Sequence, residues 1–294
     1  MSRRVRIPFL IDVMRVDDAH VAGLLAKDPR LDRGYTPTGP LFNRMLARHI
    51  SRAFRIGTVP FPTMRRRHDK ERIAIQSKLA TMMPDASTLV EDIRPLVAYV
   101  RGDGKLGDVG PDVQALIGRR FRADYPASPA LWKAALAFDA AARSSNPFRW
   151  FLSFICGTIR TNRRKLADAV NGDPTAIHAT GIAVHNVMAS LDRMRISFAD
   201  PACKAKLDGM SAATAFLAAP ASVLRQVSRV ADVPGGTLYP GTLVTFELAT
   251  AAGRTLDSRV AFQSEAWSAC PASAFVLRLL ATIWTSARAE SELR

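Results

Sequence analysis

The sequence predicts a mainly α-helical protein with a small β-sheet, on three observations. Apolar residues recur at helical spacing over most of residues 68–219. β-rich segments bounded by Pro and Gly gather after Pro220. The composition, 48% hydrophobic and 23% charged over 294 residues, is that of a globular chain and excludes disorder and collagen-like repeats. That length allows one large domain or two small ones, with ample material for a core.

The elements follow in order. Residues 1–62 carry Pro29, Pro37, Pro40, Pro60 and Pro62 and admit one helix, about Leu41 to Phe54. A helix over 68–83 uses Ile73, Ile75, Leu79 and Met82. Another over 87–100 contains Pro95, which kinks or divides it. Gly102-Asp103-Gly104-Lys105-Leu106-Gly107 has the glycine spacing of a dinucleotide loop. Asp108, Gly110 and Pro111 follow at once, so no apolar helix starts where a pyrophosphate needs one, and the hexad reads as a turn. Residues 111–145 are helical; residues 147–170 carry Phe148, Trp150, Phe151, Leu152 and Phe154, then a basic stretch from Arg160 to Lys165. Asp173-Pro174 is a helix start, Asp173 as N-cap and Pro174 in the first turn. The helix it opens, to about Met194, is apolar on most faces and therefore central. A further helix spans about Cys203 to Ala219. Beyond Pro220, Val223 to Val233 is extended, Pro234-Gly235-Gly236 turns, Thr242 to Leu248 is β-rich, and a last helix runs from Pro271 to about Ala289.

Charge narrows the function classes. The formal net charge is +15, and residues 1–72 alone hold 16 Lys+Arg against 7 Asp+Glu. Arg65-Arg66-Arg67-His68 with Lys70 and Arg72 is the densest cluster. A solvated basic face, a nucleic-acid-binding surface and a site for a small anion all remain open from charge alone. Zinc-finger spacing and RNP-like aromatic motifs are missing, which makes nucleic acid the weaker of the three. Three scattered cysteines, Cys156, Cys203 and Cys270, argue against a disulfide framework and for a reducing compartment. Arg278 interrupts the most apolar stretch, so no membrane span is expected, and with no secretory signal the expected location is cytoplasmic.

The chemistry-bearing segment is Phe262-Gln263-Ser264-Glu265-Ala266-Trp267-Ser268-Ala269-Cys270-Pro271. A Cys just before a Pro-started helix sits where the helix dipole favours a thiolate, hence a nucleophile or a metal ligand. A buried, inert Cys at a helix start is the competing reading. Elsewhere, His178 and His185 are seven apart on one helical face without a third ligand, and Thr180 in a buried helix commonly bonds back to its own backbone.

Phe262 through Cys270-Pro271 resembles the cysteine-ligand loop of the cytochrome P450 superfamily. Three further segments fall in that family's order. His68-Asp69-Lys70-Glu71-Arg72 resembles its propionate-binding His-x-x-x-Arg. Ala176-Ile177-His178-Ala179-Thr180 is similar to its distal-helix motif. Pro220 to Arg229-Val230-Ala231, followed by Tyr239-Pro240-Gly241-Thr242, is similar to the strand whose Arg meets a propionate. The resemblance covers about residues 60–100 and 174–288. It implies a reduced cytochrome P450 fold with haem b as cofactor and Cys270 as its axial ligand. It implies propionate contacts from His68, Arg72 and Arg229, with Arg225 the alternative to Arg229. Distal roles go to Thr180 and His178. The implied function is oxidation of a small apolar substrate, as a monooxygenase or with peroxide, served by an acidic ferredoxin-type redox partner. The implied layout is one domain over 1–294: a basic Pro-rich segment 1–62, a helical core 63–219, a sheet and cysteine loop 220–270, and a C-terminal helix 271–289.

This chain departs from the family's pattern. Its Glu-x-x-Arg falls at Thr214 and Leu217; Glu265 and Ala272 stand where glycines are usual; the Phe-to-Cys interval is one residue longer; and the region between 100 and 174 is short. Two other readings therefore stand beside the oxygenase: a haem-free relative serving as a binding or scaffold protein, and a basic helical nucleic-acid binder.

Overall fold

The computed structural model describes residues 2–64, 74, 77, 86–255 and 257–293. The strands and helices are, in chain order, β1 Ser2–Ile7, β2 Ile11–Val16, α1 Ala19–Lys27, β3 Leu31–Asp32, α2 Leu41–Ala53, β4 Arg55–Ile56, β5 Val59–Pro60, α3 Ala86–Val100, α4 Gly110–Gly118, α5 Pro129–Ala142, α6 Pro147–Ile155, α7 Thr158–Ala169, α8 Pro174–His178, α9 Val184–Phe198, α10 Pro201–Lys206, α11 Gly209–Ala215, β6 Val223–Val227, β7 Ala231–Val233, β8 Gly236–Leu238, β9 Leu243–Phe246, α12 Leu248–Thr255, α13 Ser258–Phe262 and α14 Ser273–Glu292. A 3₁₀ turn covers Pro62–Met64, and a π-helical turn, Ala179–Ala183, joins α8 to α9. The fold is mainly α with small sheets, as the sequence predicts. The helix expected over 68–83 lies, apart from residues 74 and 77, outside the described residues.

The chain gathers into two compact units, each drawn from three stretches. One comprises 1–73, 139–161 and 219–270; the other comprises 74–138, 162–218 and 271–294.

The first unit holds the five-stranded sheet, in the order β1-β2-β9-β6-β3. Here the sheet differs from the expectation of a purely late element, because the N-terminal residues supply three of its five strands, β1, β2 and the short edge strand β3. β1 pairs antiparallel with β2, β2 runs parallel to β9 with Val13 opposite Leu243, and β6 lies antiparallel to β9 with Arg225 opposite Val244. Arg3, Arg4 and Arg6 hide β1 from a composition reading, yet charged residues are what an edge strand needs to avoid further pairing. The central strands are buried: Met14, Val16, Leu243, Val244 and Phe246 are almost inaccessible. A second close contact ties the Tyr239–Thr242 turn to the N-terminal region. Gly39 and Gly241 both have positive φ, and a Cβ on Gly241 would stand 2.5 Å from the backbone of Gly39. Only glycine allows that approach. Asn43, fully buried on α2, fixes the crossing by donating to the carbonyls of Asp12 and Gly241.

The second unit is helical. α14 packs against α11, α3 and α9. Its Trp284 is fully buried, edge-on to Phe198 at 5.2 Å, with its indole N–H donating to the Leu207 carbonyl at 3.1 Å. Asp173 caps α8 as expected, accepting from the amides of Thr175 and Ala176. The long helix from Pro174 is broken by the π turn and resumes as α9 to Phe198.

Candidate functional site

The cysteine loop is built in the first unit. α13 ends at Phe262 because Gln263 adopts the left-handed conformation (φ 50°). The loop then closes on itself: the Ala266 amide donates to the Gln263 carbonyl, that of Ala269 to Ala266, and that of Cys270 to the Phe262 carbonyl at 2.9 Å. Cys270 is half-buried and in no disulfide. The expected helix start at Pro271 is displaced: α14 begins at Ser273, with Ala272 in the capping position and no side-chain cap. Cys270 therefore stands two residues before the cap, where the helix dipole is already fading.

Charge at the loop comes instead from two buried arginines. Arg225 on β6 is fully inaccessible and donates to Gln263 Oε1 at 2.8 Å and to Ser268 Oγ. Its guanidinium lies 4.7 Å from the Trp267 ring centroid and 5.9 Å from that of Phe246. Arg33, just past β3, is 8% exposed. Its one side-chain hydrogen bond among the described residues is a long contact, 3.4 Å, to the same Gln263 oxygen. Burial pushes the Arg33 guanidinium below its usual range, and the charges of Tyr35, Cys270 and Asp32 oppose that fall. Gln263 Oε1 thus receives three donors, counting Ser268 Oγ at 3.1 Å. Sequence reasoning gave Gln263 and Arg33 no role, since nothing in either neighbourhood marks them as buried.

Arg229 is exposed, between β6 and β7, while Arg225, the alternative at this segment, is the buried one. His68 and Arg72 lie outside the described residues.

The second unit carries Thr180, fully buried in the π turn, with its hydroxyl donating to the Ala176 carbonyl at 2.8 Å. The Thr180 carbonyl accepts from the buried Gln114 amide at 3.0 Å. Tyr125 lies against the Thr180 side chain; burial pushes its phenol up to about 12, and Thr180 pulls the other way. His178, two residues earlier, is half-buried, and the His185 ring lies 4.9 Å from that of Trp132. π turns inside α-helices concentrate at functional sites because they free a backbone group and open the helix locally. Gly181 in the turn is closely covered: a Cβ there would lie 2.8 Å from Leu166 Cδ1.

No protein-family model matches the chain, and no curated protein matches it by sequence. Solved structures do. The cytochrome P450 enzyme CxnD, for C–S bond formation in chuangxinmycin biosynthesis, aligns with a TM-score of 0.61 at 13% identity, over 94% of this chain and 79% of that one. P450BioI in complex with an acyl carrier protein ligated to hexadec-9Z-enoic acid gives 0.56 at 12% identity, over 99% and 86%. CYP105N1 from Streptomyces coelicolor A3(2) gives 0.55 at 16% identity, over 100% and 84%. This chain has a cytochrome P450 fold. At these identities the likeness is one of fold.

Thr214 and Leu217 stand where the resemblance read from the sequence sets the family's Glu-x-x-Arg pair. Leu217 is buried and accepts at its carbonyl from Arg193 Nη1 at 2.8 Å. Glu265, at a position where glycine is usual, is exposed and held by Lys27 at 2.6 Å, with Arg259 beyond at 3.8 Å. These charges pull the Glu265 carboxyl below its ordinary range, the Lys27 hydrogen bond most. The same loop thus has a buried cationic side and an exposed, paired acidic one.

Proposed function

We propose that the chain is a haem-thiolate oxidoreductase. The observation that carries this reading is Arg33, a buried guanidinium with one long hydrogen bond, set in the electrostatic field of the Cys270 thiol. A buried charge this poorly compensated costs folding energy unless an anion comes to it. The donor set fits haem b: one soft thiolate ligand and two buried cations, Arg33 and Arg225, for an anionic group. Bound there, haem supplies oxidising chemistry with a thiolate pushing electron density onto the iron.

The chain's own residues would then divide the work. Cys270 would hold the haem iron through its thiolate, presented by the loop that the Phe262 carbonyl closes. Arg225 and Arg33 neutralise propionate charge. His68, Arg72 and Arg229 complete the set that the sequence resemblance assigns to that task. Thr180 holds a proton at its Oγ, at present donated to Ala176, and His178 is the second polar group that the resemblance assigns to the distal segment. The substrate is a small apolar molecule. The oxidant is dioxygen with electrons from an acidic ferredoxin-type protein, or peroxide.

The test is the absorption spectrum of protein expressed with haem supplied, reduced under carbon monoxide. A strongly red-shifted Soret band in the wild type, lost in Cys270→Ala, is the expected result. Folded protein that binds no haem would sink this reading. The second reading, a haem-free relative acting as a binding protein, is favoured by the Cys loop satisfying Arg225 with its own Gln263 and Ser268.

A further inference from the structure

The first unit exposes an apolar surface that the haem reading does not use. α6 is capped by Asn146, which accepts from the Phe148 amide, and it starts on Pro147. Its single buried side chain, Trp150, stacks on His49 at 5.0 Å and lies 5.7 Å from Phe42, so it fastens α6 to α2. The rest of the helix is turned outward: Phe148 is 66% exposed, Phe151 58%, Phe154 77% and Ile155 63%. The β1–β2 turn carries Phe9, 92% exposed. Its carbonyl and that of Leu10 accept from the amides of Leu41 and Phe42, so this tip is joined to the start of α2. Leu41 and Met45, one turn apart on α2, are exposed too. The three phenylalanines of α6 alone present roughly 400 Å², at about 200 Å² per side chain. That already equals the largest apolar patch of an ordinary monomer, about 300–600 Å².

The segments that form this surface are cationic, although Arg4 is paired with Asp12 just beyond the first of them. The segments 2–11, 41–56 and 147–160 contain nine arginines and neither Asp nor Glu. Arg3, Arg6, Arg44, Arg48, Arg149 and Arg160 are exposed. A second copy packed on this face by a two-fold axis would set arginine against arginine. An anionic bilayer meets both demands, taking the aromatic side chains into the headgroup–acyl boundary and pairing the guanidinium groups with phosphates. Among the described residues no helix is long and apolar enough to cross a membrane, so the contact is a surface one.

We propose that α6, the β1–β2 tip and the start of α2 form a docking surface for anionic lipid membranes. The test is co-sedimentation of the full chain with vesicles of phosphatidylcholine, with and without 30% phosphatidylglycerol, at roughly 0.1 M salt. Partition onto the anionic vesicles is expected at least tenfold above the neutral ones. Phe148→Ser/Phe151→Ser/Phe154→Ser, which leaves Trp150 in place, should lower it about 100-fold. Arg44→Gln/Arg48→Gln/Arg149→Gln should lower it by a similar factor, since each cation near the surface is worth roughly a fivefold gain in binding. Phe148→Trp gives a reading that needs no loss of binding: its emission should shift to the blue on anionic vesicles. Protein left in the supernatant with both vesicle types overturns the proposal, as does equal partition onto both. So does a concentration-dependent dimer, abolished by the triple serine variant, in protein that ignores vesicles. That last result would assign the face to a second copy.

Discussion

Replacing Arg33 by Met should have opposite effects with and without haem. In the haem-free protein the guanidinium is buried, 8% exposed, and holds one 3.4 Å hydrogen bond. Its downward pKa shift means that the fold disfavours the charged form, and the charged form is what exists at neutral pH. Methionine keeps an unbranched stem of similar reach and packs adaptably. Exchanging a poorly compensated buried charge for an apolar group is neutral to stabilising by about 1–4 kcal/mol. The low end, about 1–2 kcal/mol, suits a residue that retains some access to water and one acceptor. For a chain of this size that raises Tm by roughly 2–3 °C. With haem bound the sign reverses. Loss of one charge-assisted bond to a propionate costs about 1.5–3 kcal/mol, or about 10–100-fold in haem affinity. Thermal melts of haem-free protein and a haem titration followed at the Soret band read the two effects separately. A haem-free Tm that falls by more than about 3 °C would refute the claim that the fold under-compensates this charge. An unchanged haem affinity would refute its role as a counter-ion.

Two further consequences concern stability. Gly241→Ala forces a side chain into a positive-φ position (88°) and within 2.5 Å of the Gly39 backbone. It should destabilise by about 2–4 kcal/mol, seen as a lower urea midpoint, because neither backbone can yield without losing the Asn43 bonds. Asp12 is buried between Arg4, which donates two hydrogen bonds at 2.7 and 2.8 Å, and Thr242, which donates at 2.9 Å. Burial raises its pKa, but Arg4 and Thr242 outweigh that and hold it below the ordinary value. The resulting stability is complete above about pH 4, the unfolded value, and is lost as pH falls through the lower folded one. Asp12→Asn should lower Tm at pH 7 and flatten its acid limb; a limb as steep as the wild type's would assign acid sensitivity to other carboxylates.

Periodicity made the helical framework legible before any coordinates. Asp173, Pro174 and the apolar run behind them marked the central helix, and Gly235 and Gly236 marked the β7–β8 turn. The N-terminal strands were not legible, because β1 owes its place to pairing with β2 along six residues and not to apolar alternation. The π turn was equally hidden, since Ala179–Ala183 has the composition of plain helix. At the candidate site Cys270 could be picked out by its neighbour Pro271, and Thr180 by its place in a buried helix. Arg33 could not be picked out. A guanidinium becomes a site residue by being enclosed, and the enclosure comes from β6 and the 263–270 loop, about 190 residues or more further along the chain. The same holds for Arg225 over Arg229: four residues apart in sequence, one is sealed in the sheet and the other faces solvent.

The missing Glu-x-x-Arg pair need not mean a loosely held segment, because other groups grip the same stretch. Arg193 on α9 donates to the Leu217 carbonyl at 2.8 Å, and Ser190, one turn earlier, accepts from the Ala218 amide at 2.8 Å while donating to Asn186. Ser190 is fully buried and Leu217 nearly so, so water cannot readily replace either partner. α11 is meanwhile seated on α14 so closely that a Cβ on Gly209 would lie 2.8 Å from the Ala281 carbonyl oxygen. Backbone groups held by side chains of a neighbouring helix do here what an ion pair within one helix would do, and they do it without burying a carboxylate. Arg193→Met should then leave a buried carbonyl unsatisfied and cost about 1–3 kcal/mol, and Ser190→Ala should cost about as much for the amide. Because both grip adjacent residues of one segment, the double variant should depart from the sum by more than about 0.5 kcal/mol in urea melts. Two neutral single variants would mean that the packing of α11 on α14 holds the segment unaided, and that the two side-chain bonds add nothing to it.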